Sequence, residues 1–359
     1  MVWLKRVVVL ILFCAVLTWL WLWSKLHTQE HQYAQLSTSQ MATAKAYLEG
    51  KLTPALPDWQ WNTFYPEEGV NLRTGTVINP NARGLVVVVP GFTGTIEMVM
   101  REINQFYEAG FSVAAIEYRG QGASWRPLAH PEKGYVEDYA VLAQDIAKYA
   151  DSILEDEQPL FFYSISKGAH ITLRMAMLDR VSVAAYSLIV PMVKINTGEF
   201  SYSLTKSIAN VFTTLGLGAM YAPGQTAWPG PNYKFGEATG CNANPELAQS
   251  QGALFAVREE LRTSGTTMRW LKEAIDSTQL IVDAPLNEQI DSPVLMFTAG
   301  IGELVDTSAA QNLCATLNQC ELIHKPDSRH CITREDMTVY DGMIQDSIRH
   351  FNTALNGVN

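Results

Sequence analysis

Residues 159–169 read Pro-Leu-Phe-Phe-Tyr-Ser-Ile-Ser-Lys-Gly-Ala, and the reading of this stretch decides the fold. An apolar, aromatic run stops at Ser164, and a helix-compatible segment, Lys167 to Leu178, follows at once. Ser166 therefore stands where a strand turns directly into a helix, with small residues two positions away on each side, Ser164 and Gly168. Such a turn strains the backbone of a nucleophile and lets the flanking chain pass close by. The helix start behind it offers free N–H groups and a partial positive charge to a developing oxyanion. Ser-x-Ser-x-Gly by itself also arises in ordinary Ser- and Gly-rich turns, so the surrounding chain has to decide.

Upstream, Gly84 to Pro90 is a continuous β-branched run, the pattern of a strand buried on both faces of a parallel sheet. It ends in Pro90-Gly91-Phe92-Thr93-Gly94, a loop able to turn a backbone N–H toward the Ser166 hydroxyl. Thr95 to Ala109 has helical apolar spacing and stops at Gly110, Phe111 to Tyr118 reads as the next strand, and a long helix is predicted over about Val136 to Leu154. Downstream, a strand over Val183 to Val190 is followed by roughly a hundred residues without alternation, and the pattern resumes at Pro293 to Thr298. A helix near Ser308 to Leu317, a short strand Glu321 to His324 and a helix from about Arg334 to Leu355 follow. Strands alternating with helices through short loops give an α/β class with a mainly parallel sheet. The interruption reads as a cap over the carboxyl edge of that sheet, where open α/β folds bind ligands. Its first part holds Tyr221, Trp228, Tyr233 and Phe235, its second part has helical candidates at Leu247 to Leu261 and Thr267 to Ile275, and Tyr221, Trp228, Tyr233 and Trp270 form an aromatic cap suited to one acyl chain.

A serine nucleophile needs a base, and the base needs an orienting group. Of seven histidines, His27 and His31 lie beside the N-terminal apolar segment, His130 and His170 lie close to the elbow, His324 falls in a strand and His350 in the last helix. His330 remains, in the polar loop between the last strand and the last helix. The acid is expected in the loop after Val294 to Thr298, where Glu303 and Asp306 both qualify. Asp306 is the favoured candidate, and an N-cap of the following helix is its alternative role.

With these residues placed, the chain resembles the bacterial inner-membrane lysophospholipase family, itself similar to monoacylglycerol lipases of the α/β-hydrolase fold. The resemblance is carried by Ile116-Glu-Tyr-Arg-Gly-Gln-Gly-Ala-Ser124, Leu128 to Val136, the elbow, Val305-Asp306 and Arg329-His330, and spans roughly Trp61 to Phe351. It implies an eight-stranded, mainly parallel sheet with a cap over about residues 192–285 after the sixth strand. It also implies a Ser166, Asp306 and His330 triad, an oxyanion hole from the backbone N–H groups of Phe92 and Lys167, and hydrolysis of a single-acyl glycerolipid without cofactor or metal. The chain departs from the family in three places. Gly302 stands where an acidic residue is usual, the elbow reads Ser-Ile-Ser-Lys-Gly instead of Gly-His-Ser-Met-Gly, and Pro90-Gly91 replaces His-Gly.

Lys5-Arg6 precede Val7 to Trp23, an uncharged apolar run with Trp19, Trp21 and Trp23 clustered as at a membrane interface. With no Ala-x-Ala site after it, it reads as a signal anchor over residues 1–23 in preference to a cleaved signal peptide, followed by a polar stalk over 24–58, partly helical near Thr43 to Leu48, and a catalytic domain over 59–359. The positive flank directs that domain across the inner membrane to the periplasm. A net charge of −10 argues against nucleic acid and against adsorption to anionic lipid. Cys241, Cys314, Cys320 and Cys331 are compatible with disulfides or with buried thiols. Two rivals stay open: another esterase or an aminopeptidase on the same fold, with Glu259-Glu260 the only obvious holder of a substrate amine, and a non-catalytic binding protein.

Overall fold

The structure, a computed structural model, describes residues 2–28, 33–230, 241–242, 244 and 247–357; His31, Tyr233 and Phe235 lie outside them. In chain order the elements are α1 (Val2–Thr28), α2 (Thr38–Leu48), β1 (Gln60–Glu67), β2 (Val70–Val77), β3 (Leu85–Val89), α3 (Met100–Glu108) and β4 (Ser112–Ile116). Next come α4 (Tyr139–Ile153), β5 (Leu160–Ile165), α5 (Lys167–Ala176), β6 (Ala185–Ile189), α6 (Tyr202–Thr214), α7 (Ser250–Val257) and α8 (Met268–Asp283). The chain continues with α9 (Leu286–Gln289), β7 (Val294–Ile301), α10 (Thr307–Thr316), β8 (Cys320–Arg329) and α11 (Met337–Gly357).

The eight strands form one sheet in the order β1-β2-β4-β3-β5-β6-β7-β8. From β4 to β8 every pairing is parallel, while β1–β2 and β2–β4 are antiparallel. Leu85 to Val89 and Leu160 to Tyr163 are almost wholly buried, as their unbroken apolar runs require when helices cover both faces. One core face collects Val87, Ile116, Phe162 and Leu188 against α4 and α5; the other collects Val86, Val88, Phe161 and Phe297 against α3 and α11. The fold is that of an α/β-hydrolase, and β3 and β5 at the sheet's centre carry the expected oxyanion loop, Pro90 to Gly94, and the elbow to one edge.

Two elements differ from their sequence reading. The last strand runs to Arg329, well beyond His324, because it continues alongside β7 past an irregularity (Thr298 opposite His324, Ile301 opposite Arg329). At a sheet edge the polar run and Pro326 are tolerated, since one side of the strand needs no ladder partner. Helix α6 was not evident in its Ser- and Thr-rich sequence; Ser201 caps it by accepting from the Leu204 N–H. The helix expected near Thr43 to Leu48 begins earlier: α2 starts with a capping box between Ser37 and Gln40 and packs Ala44 against Ala253 and Ala256 of α7.

Candidate active site

Ser166 stands between β5 and α5 with φ 49° and ψ −110°, a left-handed conformation in a residue with a side chain. The strain is held by its neighbours: its N–H donates to the Ile189 carbonyl at 2.8 Å, and its own carbonyl accepts from the N–H groups of His170 and Met192. Gly168 permits the turn, because a Cβ there would lie 2.5 Å from the Pro90 carbonyl oxygen and press on that of Val89. The backbone at Gly168 thus passes directly against the chain that leaves β3.

His330 emerges just beyond β8, and its Nε2 lies 2.9 Å from the Ser166 Oγ. Burial, with Arg334 nearby, holds the imidazole pKa down at about 4, so the ring is neutral and ready to accept the hydroxyl proton near neutral pH. The other buried histidine beside the elbow, His170, is occupied by the Met192 carbonyl and the Ser277 hydroxyl.

The structure does not bring Asp306 to His330. Its carboxylate accepts from Lys194 Nζ at 2.9 Å, Ser308 Oγ at 2.6 Å and the Ala309 N–H at 3.3 Å, which makes it the N-cap of α10. Those donors hold it at about 2. Glu303 is exposed. Among the described residues no carboxylate bonds to His330. In its place, a gap of about 10 Å³ lies against His330, bordered by Gly302, Thr298 and Thr307. The position at which the family resemblance expects an acid therefore borders the same gap as the base but carries no side chain.

What holds the His330 loop is covalent. Cys331 is bonded to Cys241, and the Cys331 N–H donates to the Cys241 carbonyl at 2.8 Å. Cys314 and Cys320 form a second bridge.

The oxyanion loop is pinned by residues whose role the sequence did not disclose. Gln121, from the Arg-Gly-Gln-Gly string, donates to the carbonyls of Gly91 (2.5 Å) and Gly94 (2.8 Å) and accepts from the Thr93 N–H. Gln251 of α7 donates to the Thr93 carbonyl and hydroxyl. The string was visible; its function as a clamp required the fold.

Ser166 and His330 sit in a cavity of about 800 Å³ lined by Phe92, Met192, Ile195, Phe200, Met268 and Trp270 among others. Of the aromatic residues expected to cap it, Trp270 lines the cavity. Tyr221 bonds to Ser264, and Trp228 lies under the Arg262 guanidinium at 4.1 Å, so both are packing residues. Glu259 and Glu260 do not border the cavity. Helix α1 is long and apolar enough to cross a membrane over Trp3–His27, and none of that stretch is buried.

The family described as serine aminopeptidase, S33 matches residues 80–337. A probable lysophospholipase L2 from Haemophilus influenzae is 22% identical over 312 residues, covering 84% of this chain and 94% of that protein. The structure is similar to a soluble variant of monoglyceride lipase from Saccharomyces cerevisiae (TM-score 0.66, 16% identity, 84% of this chain and 97% of that one). It is also similar to a thermostable carboxyl esterase from Bacillus coagulans (TM-score 0.61, 17% identity, 84% and 100%).

Proposed function

The chain belongs to the serine aminopeptidase S33 family of α/β-hydrolases, and on that footing we propose that it hydrolyses the carboxylic ester of a single-acyl lipid through an acyl-enzyme on Ser166. The observation that carries this is the 2.9 Å contact between Ser166 Oγ and a neutral His330 Nε2 inside a large cavity with a mainly apolar wall. Ser166 Oγ attacks the ester carbonyl while His330 takes its proton. The N–H groups of Phe92 and Lys167 receive the oxyanion, and His330 returns the proton to the departing glycerol oxygen. Water then repeats the sequence on the acyl-enzyme and releases the fatty acid.

A lipid ester fits the cavity better than a peptide amine does. Among the described residues its one lining carboxylate, Glu199, is on the exposed rim, whereas Lys167 and Arg334 line it with positive charge. The similarity to lysophospholipase L2 supports the same substrate class. Helix α1 would hold the enzyme at the inner membrane, with the catalytic domain on the periplasmic side. Two disulfides suit that oxidising compartment.

Hydrolysis of monoacylglycerols and lysophospholipids of increasing chain length tests the reading. Each methylene buried contributes about 0.8 kcal/mol, so kcat/KM should rise with length until the cavity is filled. Faster cleavage of short soluble esters or aminoacyl amides would contradict the lipid assignment, and Ser166→Ala should abolish turnover.

A further inference from the structure

Thr93 directly follows Phe92, whose N–H is assigned to the oxyanion, and it stands at φ 63°, in the left-handed region. A β-branched residue keeps that conformation only where its surroundings impose it. Two glutamines from different parts of the fold do so. Gln121, in the loop after β4, accepts from the Thr93 N–H at 3.1 Å. Gln251, on α7, donates to the Thr93 carbonyl at 2.8 Å and to its hydroxyl at 2.7 Å. Gln251 is therefore only as well placed as α7 is.

Helix α7 has 8 residues and α2 has 11, and helices so short are marginal in water by themselves. The two hold each other. Ala44 is fully buried against Ala253 and Ala256, small side chains that let the two helices approach closely. Leu48 and Leu52 join Leu254 and Phe255 in a second cluster. That cluster reaches Met98, in the short turn after the oxyanion loop, and Ala123, two residues from Gln121. Arg262, just past α7, donates to the Phe255 carbonyl at 2.7 Å and to the Ala34 carbonyl at 3.4 Å. Asn104 of α3 donates to the Pro54 carbonyl at 3.1 Å. The chain from Ala34 to Pro54 is thus fastened at both ends to the domain that follows it.

We infer that α2 is a positioning element of the catalytic domain and not a passive stalk: docked on α7, it sets Gln251 against Thr93 and so aims the Phe92 N–H at the oxyanion. The inference rests on the ester-hydrolase reading above and adds a part to its machinery. Ala44 does not border the cavity, so a change there reaches the oxyanion only through α7.

The test uses a trifluoromethyl ketone with one long alkyl chain, and the alcohol of the same chain, as inhibitors of the full chain, Gln251→Met and Ala44→Leu. Ser166 Oγ adds to the ketone carbon, the carbonyl electron pair becomes an oxyanion, and the hydroxyl proton passes to His330. The alcohol fills the cavity without forming that oxyanion. Each variant should weaken the ketone about tenfold or more, less than the loss of a whole oxyanion donor, and leave the alcohol within about threefold. In ester hydrolysis kcat should fall by a like factor with KM nearly unchanged. The double variant should be little worse than the worse single one, because both act through Thr93. Equal losses for ketone and alcohol, or ketone affinity unmoved in folded variants, would overturn the inference. A parent protein that the ketone does not inhibit would overturn the hydrolase reading instead. Amide exchange in the unaltered protein needs no variant to fold. Coupling is reciprocal, so the ketone should slow exchange across residues 38–48 about threefold or more relative to the alcohol. Exchange there that ignores the ketone would also overturn the proposal.

Discussion

Replacing Asp306 with Asn separates a capping role from a catalytic one. In the structure this carboxylate serves Lys194, Ser308 and the start of α10, and those bonds lower it from 3.8 to about 2. Taken at face value, that shift corresponds to ~2.4 kcal/mol in favour of the charged form. The Lys194 and Asp306 side chains are 44% and 30% exposed, however, and solvent screening brings an ion pair of this kind to about 1 kcal/mol or less. Asn caps helices as well as Asp does, so the bond to Ala309 survives. Asp306→Asn should therefore lower the melting temperature by roughly 2–4 °C and leave kcat/KM within about threefold of the parent. A triad aspartate neutralised in the same way lowers kcat by ~10⁴. Melting curves and ester hydrolysis at one pH are sufficient. The pH dependence carries the same sign: a depressed carboxylate contributes stability above its unfolded pKa of 3.8 that is lost as pH falls toward 2. The variant should lose that part of the acid transition. A thousandfold or greater loss of turnover in a folded Asp306→Asn protein would refute the reasoning and make Asp306 the orienting acid.

Other expectations follow from particular contacts. Because His330 must be neutral to act and is held at about 4, kcat/KM should persist through pH 5 and fall only as pH drops through about 4. Gly302→Asp, once the Thr307 hydroxyl 2.9 Å from the new Cβ gives way, brings a carboxylate to the gap that His330 borders and should raise the pKa of that acid limb by about one unit or more. Gly168→Ala drives a Cβ into the Val89 and Pro90 carbonyls; it should displace the oxyanion loop and reduce kcat more than it raises KM. Removing the Cys241–Cys331 bridge, whose cysteines are 90 residues apart, should cost ~4–5 kcal/mol, against ~2 kcal/mol for Cys314–Cys320 with a separation of 6.

The centre of the sheet was legible because its strands are buried on both faces and must be unbroken apolar runs. Leu85 to Val89 and Leu160 to Ile165 could hardly be read otherwise. The edges were less so: β1 is largely exposed, and of β8 only Glu321 to His324 could be read, because the polar run through Pro326 lacks the buried-strand signal. Ser166 and His330 were legible from position, one at a strand-to-helix turn and the other after the last strand, and the fold brings them within hydrogen-bond distance. The acid could not be read, because an Asp opening a helix satisfies the sequence criteria for a cap and for a triad equally. Only the direction of the side chain, toward Lys194, separates the two. Lys167 posed the same difficulty: next to a nucleophile its charge reads equally as a partner for a bound phosphate or carboxylate and as a solvated helix-start residue, and its burial among Phe92, Tyr118 and Tyr139 follows from three separate loops and helices meeting there.

The most direct test of the central claim is the reaction of the intact protein with a fluorophosphonate bearing one long alkyl chain, followed by peptide mass mapping. The adduct is predicted on Ser166 alone, slowed by added lysophospholipid and absent from Ser166→Ala. Labelling at another residue, or no labelling of a folded protein, would contradict an activated Ser166 at the floor of a lipid-binding cavity.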